Sequence, residues 1–309
     1  MNQVSDAGLS RRWPVLAGLG VSIAVVVYLL AVRTADGQAL ENAALRGADQ
    51  ASDRDTAQAS ANLDRITVYS LAVAVLLIAL VAVLRRRIDL LLAGVGVIVA
   101  GQVVVQTLKR YVLPRPELVE TTGYFTQNSL PSGYTTIAMT VLFVTVLVVP
   151  YRWRGLALLV VVSWAVSVGQ YTLTAKWHRL SDTLAAEAIS LTLACLASWW
   201  LVRRGAVRRV TGRARVIPVL VTVLLSASAL LGLAIGVVLW AVPLRAEGVR
   251  GATHDDEWNI YLGATSFASA GSILAALAFL AAWHRLDTSR PTARTEARTD
   301  VLSLQSRQR

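Results

Sequence analysis

Residues 71–108 read LAVAVLLIALVAVLRRRIDLLLAGVGVIVAGQVVVQTL, two apolar runs parted by Arg85-Arg86-Arg87. Each run approaches the length that spans a bilayer, since about 20 helical residues cover the hydrocarbon. The charged triplet between them suits a tight turn at a membrane surface. The same pattern extends in both directions, with apolar blocks at 13–32, 66–84, 88–108, 134–150, 155–174, 182–202, 217–243 and 261–283. In lipid each backbone amide must bond within its own segment, so blocks of this length fold as helices. The expected fold class is all-α, a polytopic membrane helix bundle of about eight transmembrane helices.

The chain is 55% hydrophobic, with a mean hydropathy of +0.55 and a formal charge of +11. The charge does not point to nucleic acid, because the arginines flank apolar blocks instead of forming a patch. Arg11 and Arg12, Arg85 to Arg87, Arg152 and Arg154, the series Arg203, Arg204, Arg208, Arg209, Arg213 and Arg215, and finally Arg285, Arg290, Arg294 and Arg298 all fall on one side if there are eight crossings. That side is expected to be cytoplasmic and to hold both termini, in what reads as a bacterial plasma membrane. The acidic segment 34–64 and the segment 244–260 then form outer loops. The first block is too long for the apolar region of a signal peptide and is expected to be retained. The tail from 286 is polar and expected to be disordered. Cys195 stands alone, so no intrachain disulfide can form.

Two outward segments carry chemistry. One reads Lys109-Arg110-Tyr111-Val112-Leu113-Pro114-Arg115-Pro116 and, later, Pro131-Ser132-Gly133-Tyr134; the other reads Lys176-Trp177-His178-Arg179-Leu180-Ser181-Asp182. Lys109 and Lys176 are the only lysines in the chain, and both lie here. A compact ammonium is wanted at these points, or the two side chains snorkel to the interface. Ser132 fits an N-cap, and the amides of the turn it opens form an anion site. Gly133 lets a ligand come close to the backbone. His178 and Asp182 are four apart, so on one helix they would share a face. The carboxylate would hold one ring nitrogen and leave the other to a substrate.

Together these residues resemble the type 2 phosphatidic acid phosphatases, over roughly residues 60–205. Lys109 with Arg115-Pro116 is similar to the family's first motif, Pro131-Ser132-Gly133 to most of its second, and His178 with Asp182 to the end of its third. The resemblance implies a six-helix phosphatase-like core at 1–205, extended by two additional transmembrane helices at 206–285 and by the tail at 286–309. It implies that Lys109, Arg115, Ser132 and Gly133 bind phosphate and that His178, oriented by Asp182, attacks phosphorus to form a phosphohistidine. No cofactor and no metal is called for, because fixed cations and amides stabilise a transferring phosphoryl group.

The sequence departs from the family in its second motif and in the Ser-Arg pair of its third, which falls on Tyr171 and Thr172, and its first motif is one residue shorter than the usual spacing. Tyr134 replaces the second-motif His that protonates the leaving group, and Thr172 stands where the third motif has a phosphate-binding Arg. Lys176, one helical turn beyond Thr172, is expected to reach towards His178 and Arg115 in its stead. Loss of the acid bears on substrate. An alkoxide has a conjugate acid of pKa about 15.7, whereas a phosphate monoester leaves with a pKa of about 6 and needs no proton. Tyr134, with an ordinary pKa of about 10, is a poor acid at neutral pH.

The expected function is therefore an outer-leaflet lipid phosphate or diphosphate phosphatase, or a phosphotransferase, that prefers a polyprenyl diphosphate. Its partner is a membrane lipid phosphate, not nucleic acid. A catalytically silent lipid-phosphate binder of the same fold is the alternative. A transporter is a third reading, disfavoured because the third to sixth blocks carry no charge at mid-membrane. His254-Asp255-Asp256-Glu257 could hold a cation or supply an acid, though a solvated loop explains it too. The topology has a direct check. In intact cells Gln50→Cys and Asp255→Cys should react with an impermeant thiol reagent and Ala206→Cys should not; the reverse pattern would invert the orientation.

Overall fold

The computed structural model describes residues 4–65, 71–120, 127–210, 216–246 and 251–288, with side chains from residue 11 onward. All eight apolar blocks are helical where described. They become α1 (Val4–Val27, continued by a π-helical turn Tyr28–Val32), α4 (Leu71–Leu84), α5 (Ile88–Thr107, continued by a second π-helical turn Leu108–Val112), α6 (Gly133–Val148), α7 (Arg154–Thr174), α8 (Leu180–Arg203), α9 (Val216–Ala246) and α10 (His254–Ala282). Six of these are long and apolar enough to cross a membrane, while Leu71–Leu84 and Gly133–Val148 are shorter apolar helices. The fold is an all-α polytopic membrane bundle.

Burial sorts the helices. α6 is enclosed, with Met139, Leu142, Phe143 and Val146 fully covered by α5, α7 and α8. α4 and α9 lie outermost, exposing Leu76 by 67%, Leu84 by 73% and Leu230 by 66%. Apolar side chains on such faces meet lipid without cost, so they need no protein neighbour. α1 packs along α8, and α10 packs against α9, α7 and α8. In the packed interface of two helices Ser272 of α10 donates a 2.5 Å hydrogen bond to Glu187 of α8, both side chains buried. A Cβ at Gly271 would stand 2.4 Å from the second Glu187 oxygen, so glycine there lets the carboxyl group fit between the two helices.

The segment 34–64 is not a loop. It forms two helices, α2 (Ala35–Ala48) and α3 (Asp53–Arg65). Thr34 caps α2 by accepting from the Gly37 amide at 3.0 Å. α2 lies across α10: a Cβ at Gly47 would be 2.0 Å from the Glu257 carbonyl, Arg46 pairs with Glu257 at 2.5 Å, and Gln50 donates to the His254 carbonyl at 2.6 Å. The predicted outer loop at 244–260 is shorter than expected, because α10 begins at His254 under a capping box made by Thr253 and Asp256.

At the opposite end of the bundle the arginine clusters converge. Strands β1 (Arg208–Arg209) and β2 (Leu286–Asp287) pair antiparallel, so the first residues of the polar tail are ordered. Residues 289–309, for which disorder was expected, lie outside the described residues, as do Arg213 and Arg215. The Arg87 guanidinium binds Asp89, the Ala206 carbonyl at 2.9 Å and the Thr288 carbonyl. Arg154 donates to the Leu286 carbonyl at 2.8 Å and stacks on Trp283, itself packed on Trp13 at 5.5 Å. Arg87→Ala would leave Asp89 and two carbonyls without their donor. It should lower stability in detergent by about 3 kcal/mol, measured by denaturant titration, while exposed Arg86→Ala should change it by less than about 0.5 kcal/mol.

Candidate active site

The chain meets itself at the end of the bundle remote from the arginines, where Asp182 joins three segments. Arg179 is the N-cap of α8 and Asp182 occupies its third helical position. One carboxylate oxygen of Asp182 accepts from the Arg179 amide at 2.8 Å and bonds His178 Nδ1 at 3.1 Å. A carboxylate can only accept, so Nδ1 carries a proton, and in the neutral ring Nε2 is the nitrogen with the free lone pair. The two residues therefore meet through a helix cap, not through a shared helical face, because His178 precedes α8. The Asp182 carbonyl accepts from the Ser132 amide at 2.9 Å, which ties the start of α6 to the start of α8.

Ser132 caps α6 as its sequence suggested, its hydroxyl accepting from the Thr135 amide at 3.2 Å. The Ser132 and Thr135 amides are thus used, while those of Gly133 and Tyr134 have no acceptor within the helix. A Cβ at Gly133 would meet only Gln106 and Gln102, at 3.6 and 3.8 Å. Tyr134 stands beside the histidine, its ring centroid 6.2 Å from that of His178 and 5.4 Å from that of Trp177.

A cavity of 620 Å³ opens here, with Lys109, Lys176, His178 and Arg179 among its walls. Asn128 shapes its rim by donating to the Lys109 carbonyl at 3.0 Å and the Leu113 carbonyl at 2.7 Å. Four basic side chains around one water-accessible hollow favour an anionic ligand.

Two sequence expectations change. α7 stops at Thr174 and Lys176 takes a left-handed backbone conformation with φ 61°, so Thr172 and Lys176 do not share a helical face. Lys176 lines the cavity, but its ammonium is bound to Asp49 and not turned to Arg115. The guanidinium next to His178 is instead that of Arg179, bonded to Ser129 Oγ at 3.0 Å. Burial, then the neighbouring Arg115, lowers the Arg179 pKa from its ordinary value. Position 172 serves through its backbone: the Thr172 carbonyl accepts from the Trp177 and His178 amides, both at 3.1 Å, and so folds the turn that presents the histidine.

Sequence reading also passed over Glu41. This buried α2 residue accepts from the Ser181 amide at 3.0 Å and pairs with Arg115 at 3.3 Å, each side chain about 6% exposed. Glu41 sat in a stretch read as loop, where an acidic residue gives no sign of burial. Of the other candidates, the His254 group is committed to structure: Asp256 caps α10 and Glu257 binds Arg46. Among the described residues no group of three or more His, Cys, Asp or Glu side chains is placed to hold a metal.

Burial raises the Glu41 pKa above its ordinary 4.5, and the nearby Asp182 adds to the rise, while Arg115, Ser181 and Arg179 oppose it. A raised carboxyl pKa means the fold prefers the protonated form. Its contribution is complete below pH 4.5 and is lost as pH rises through the folded-state value. The stability of the wild type relative to Glu41→Gln should therefore fall between pH 4.5 and pH 8, read from thermal unfolding in detergent. A difference that grows with pH would show that the ionised pair with Arg115 dominates.

Residues 89–206 match the PAP2 superfamily. The match bears out the resemblance to type 2 phosphatidic acid phosphatases, with its start at α5 and its end just past α8. No curated protein and no solved structure matches the chain.

Proposed function

We propose, taking residues 89–206 as a PAP2-superfamily segment, that this membrane protein is a lipid phosphatase or phosphotransferase with His178 as nucleophile and that it acts on lipid diphosphates at the outer leaflet. The observation that carries the reading is the Asp182-oriented His178 in a cavity walled by Lys109 and Arg179. Nε2 attacks phosphorus, the bond to the leaving oxygen breaks with its electron pair going to that oxygen, and a phosphohistidine forms. Water then attacks the phosphohistidine and releases inorganic phosphate, or an acceptor hydroxyl takes the group. Lys109, Arg179 and the amides of Gly133 and Tyr134 neutralise the phosphoryl oxygens as charge shifts.

Tyr134 beside His178 fits a leaving group that departs without a proton. Arg115 enters this scheme indirectly: tied to Glu41, it supports the Ser181 turn and adds positive field. The same pairing favours a second reading, since a phosphate-binding Arg already held by a carboxylate suits a silent lipid-phosphate binder.

Purified protein given a polyprenyl diphosphate should release phosphate, and His178→Ala should lower that rate by at least about 10³-fold. Tyr134→His should raise phosphatidic acid hydrolysis relative to diphosphate hydrolysis. No release from either substrate leaves the binder. Faster turnover of phosphatidic acid than of diphosphate by the native protein would overturn the leaving-group argument.

A further inference from the structure

A second cavity, of 340 Å³, opens between α3, α7 and α10. Its walls include Asp55 and Gln58 of α3, Tyr171 and Thr174 of α7, and Trp258 and Tyr261 of α10. Among the described residues no basic side chain lines it. Trp258 and Tyr261 form a tilted aromatic pair with centroids 5.2 Å apart. The Tyr261 hydroxyl is tied to Thr174 Oγ1 at 2.9 Å, which fixes the ring, and Asp55 lies within electrostatic range of Tyr261. α3 and α10 lie outside the matched segment 89–206, so this hollow joins α7 of the matched segment to walls beyond it.

The two cavities are neighbours of opposite character. Thr174 lines this one while Ala175 and Lys176 line the phosphate cavity, and Ala51 lines this one while Leu45 lines the other. Lys176, on the wall of the phosphate cavity, is paired with Asp49. One side is basic and the other is acidic and aromatic. Three aromatic rings with a carboxylate and no competing cation are what attracts an ammonium group, through ring quadrupoles and charge together. A neutral polyhydroxyl ligand would not call for the carboxylate.

We propose that the cavity between α3, α7 and α10 binds an alkylammonium group, with Asp55 balancing its charge and Tyr171, Trp258 and Tyr261 contacting its carbon shell. The ammonium belongs either to a free amine or to the headgroup of a lipid. In the lipid case the adjoining basic cavity takes the phosphate, a connection that rests on the function proposed above; binding of the ammonium itself does not.

The test is calorimetric titration of the full chain in a polyoxyethylene detergent with choline chloride. Saturable binding is expected. Trp258→Ala and Asp55→Asn should each weaken it by about tenfold or more, Trp258→Phe should recover part of the loss, and His178→Ala should leave it unchanged. Lysophosphatidylcholine competing with choline assigns the site to a lipid headgroup, and its failure to compete assigns it to a free amine. The proposal is overturned if choline does not bind, if both cavity variants bind it as the wild type does, or if glucose binds there instead. Phosphate release from diphosphate, measured separately, reports on the phosphatase reading alone, so either can fail without the other.

Discussion

Asp182 holds the site together through two of its groups. Its carboxylate closes the α8 cap and fixes the tautomer of His178, and its carbonyl anchors Ser132 at the head of α6. The side chain is fully buried, so each of these bonds forms where water competes weakly and geometry is well defined. His178 and the free amides at the head of α6 therefore depend on one residue for their relative position. That is the arrangement an electrostatic catalyst needs, with donors already aimed at the charge they will meet.

Around this point charge is layered. Lys109, His178 and Arg179 face the cavity, Arg115 and Glu41 form a buried pair, and Lys176 is held at the edge by Asp49. Glu41 sits near Asp182, Arg115 and Arg179 together. Buried ions of this kind gain little net stability, because desolvation offsets attraction. Their effect is on placement: Glu41 holds the Ser181 amide and so supports the turn that carries His178 and Asp182.

The apolar blocks were legible because lipid makes a strong demand on composition, and every block from 13–32 to 261–283 became a helix where described. Ser132 was legible because a cap is local, and His178 and Asp182 were picked out by their spacing of four, although they meet through the α8 cap and not on a shared helical face. α2 and α3 were not, since a helix lying on other helices outside the lipid has no long apolar run to announce it. Arg179 was hidden among arginines that flank apolar blocks, and its place on the cavity wall separates it from them. Lys176 was misplaced because a helix continued on paper ends in three dimensions at a left-handed residue.

The contacts of α2 also bear on how the protein is made. Glu41 emerges from the ribosome well before Arg115 and Ser181, and Arg46 and Gln50 long before Glu257 and His254. The early helix can therefore meet Arg115 and Ser181 first, whereas its contacts with Glu257 and His254 wait for the last hairpin. A chain stopped after α8 would contain every residue of the matched segment and still lack the α10 surface on which α2 rests. The segment 89–206 taken alone would likewise lose the Glu41 carboxylate that Arg115 pairs with, so the matched segment in this protein is packed and paired with chain outside it.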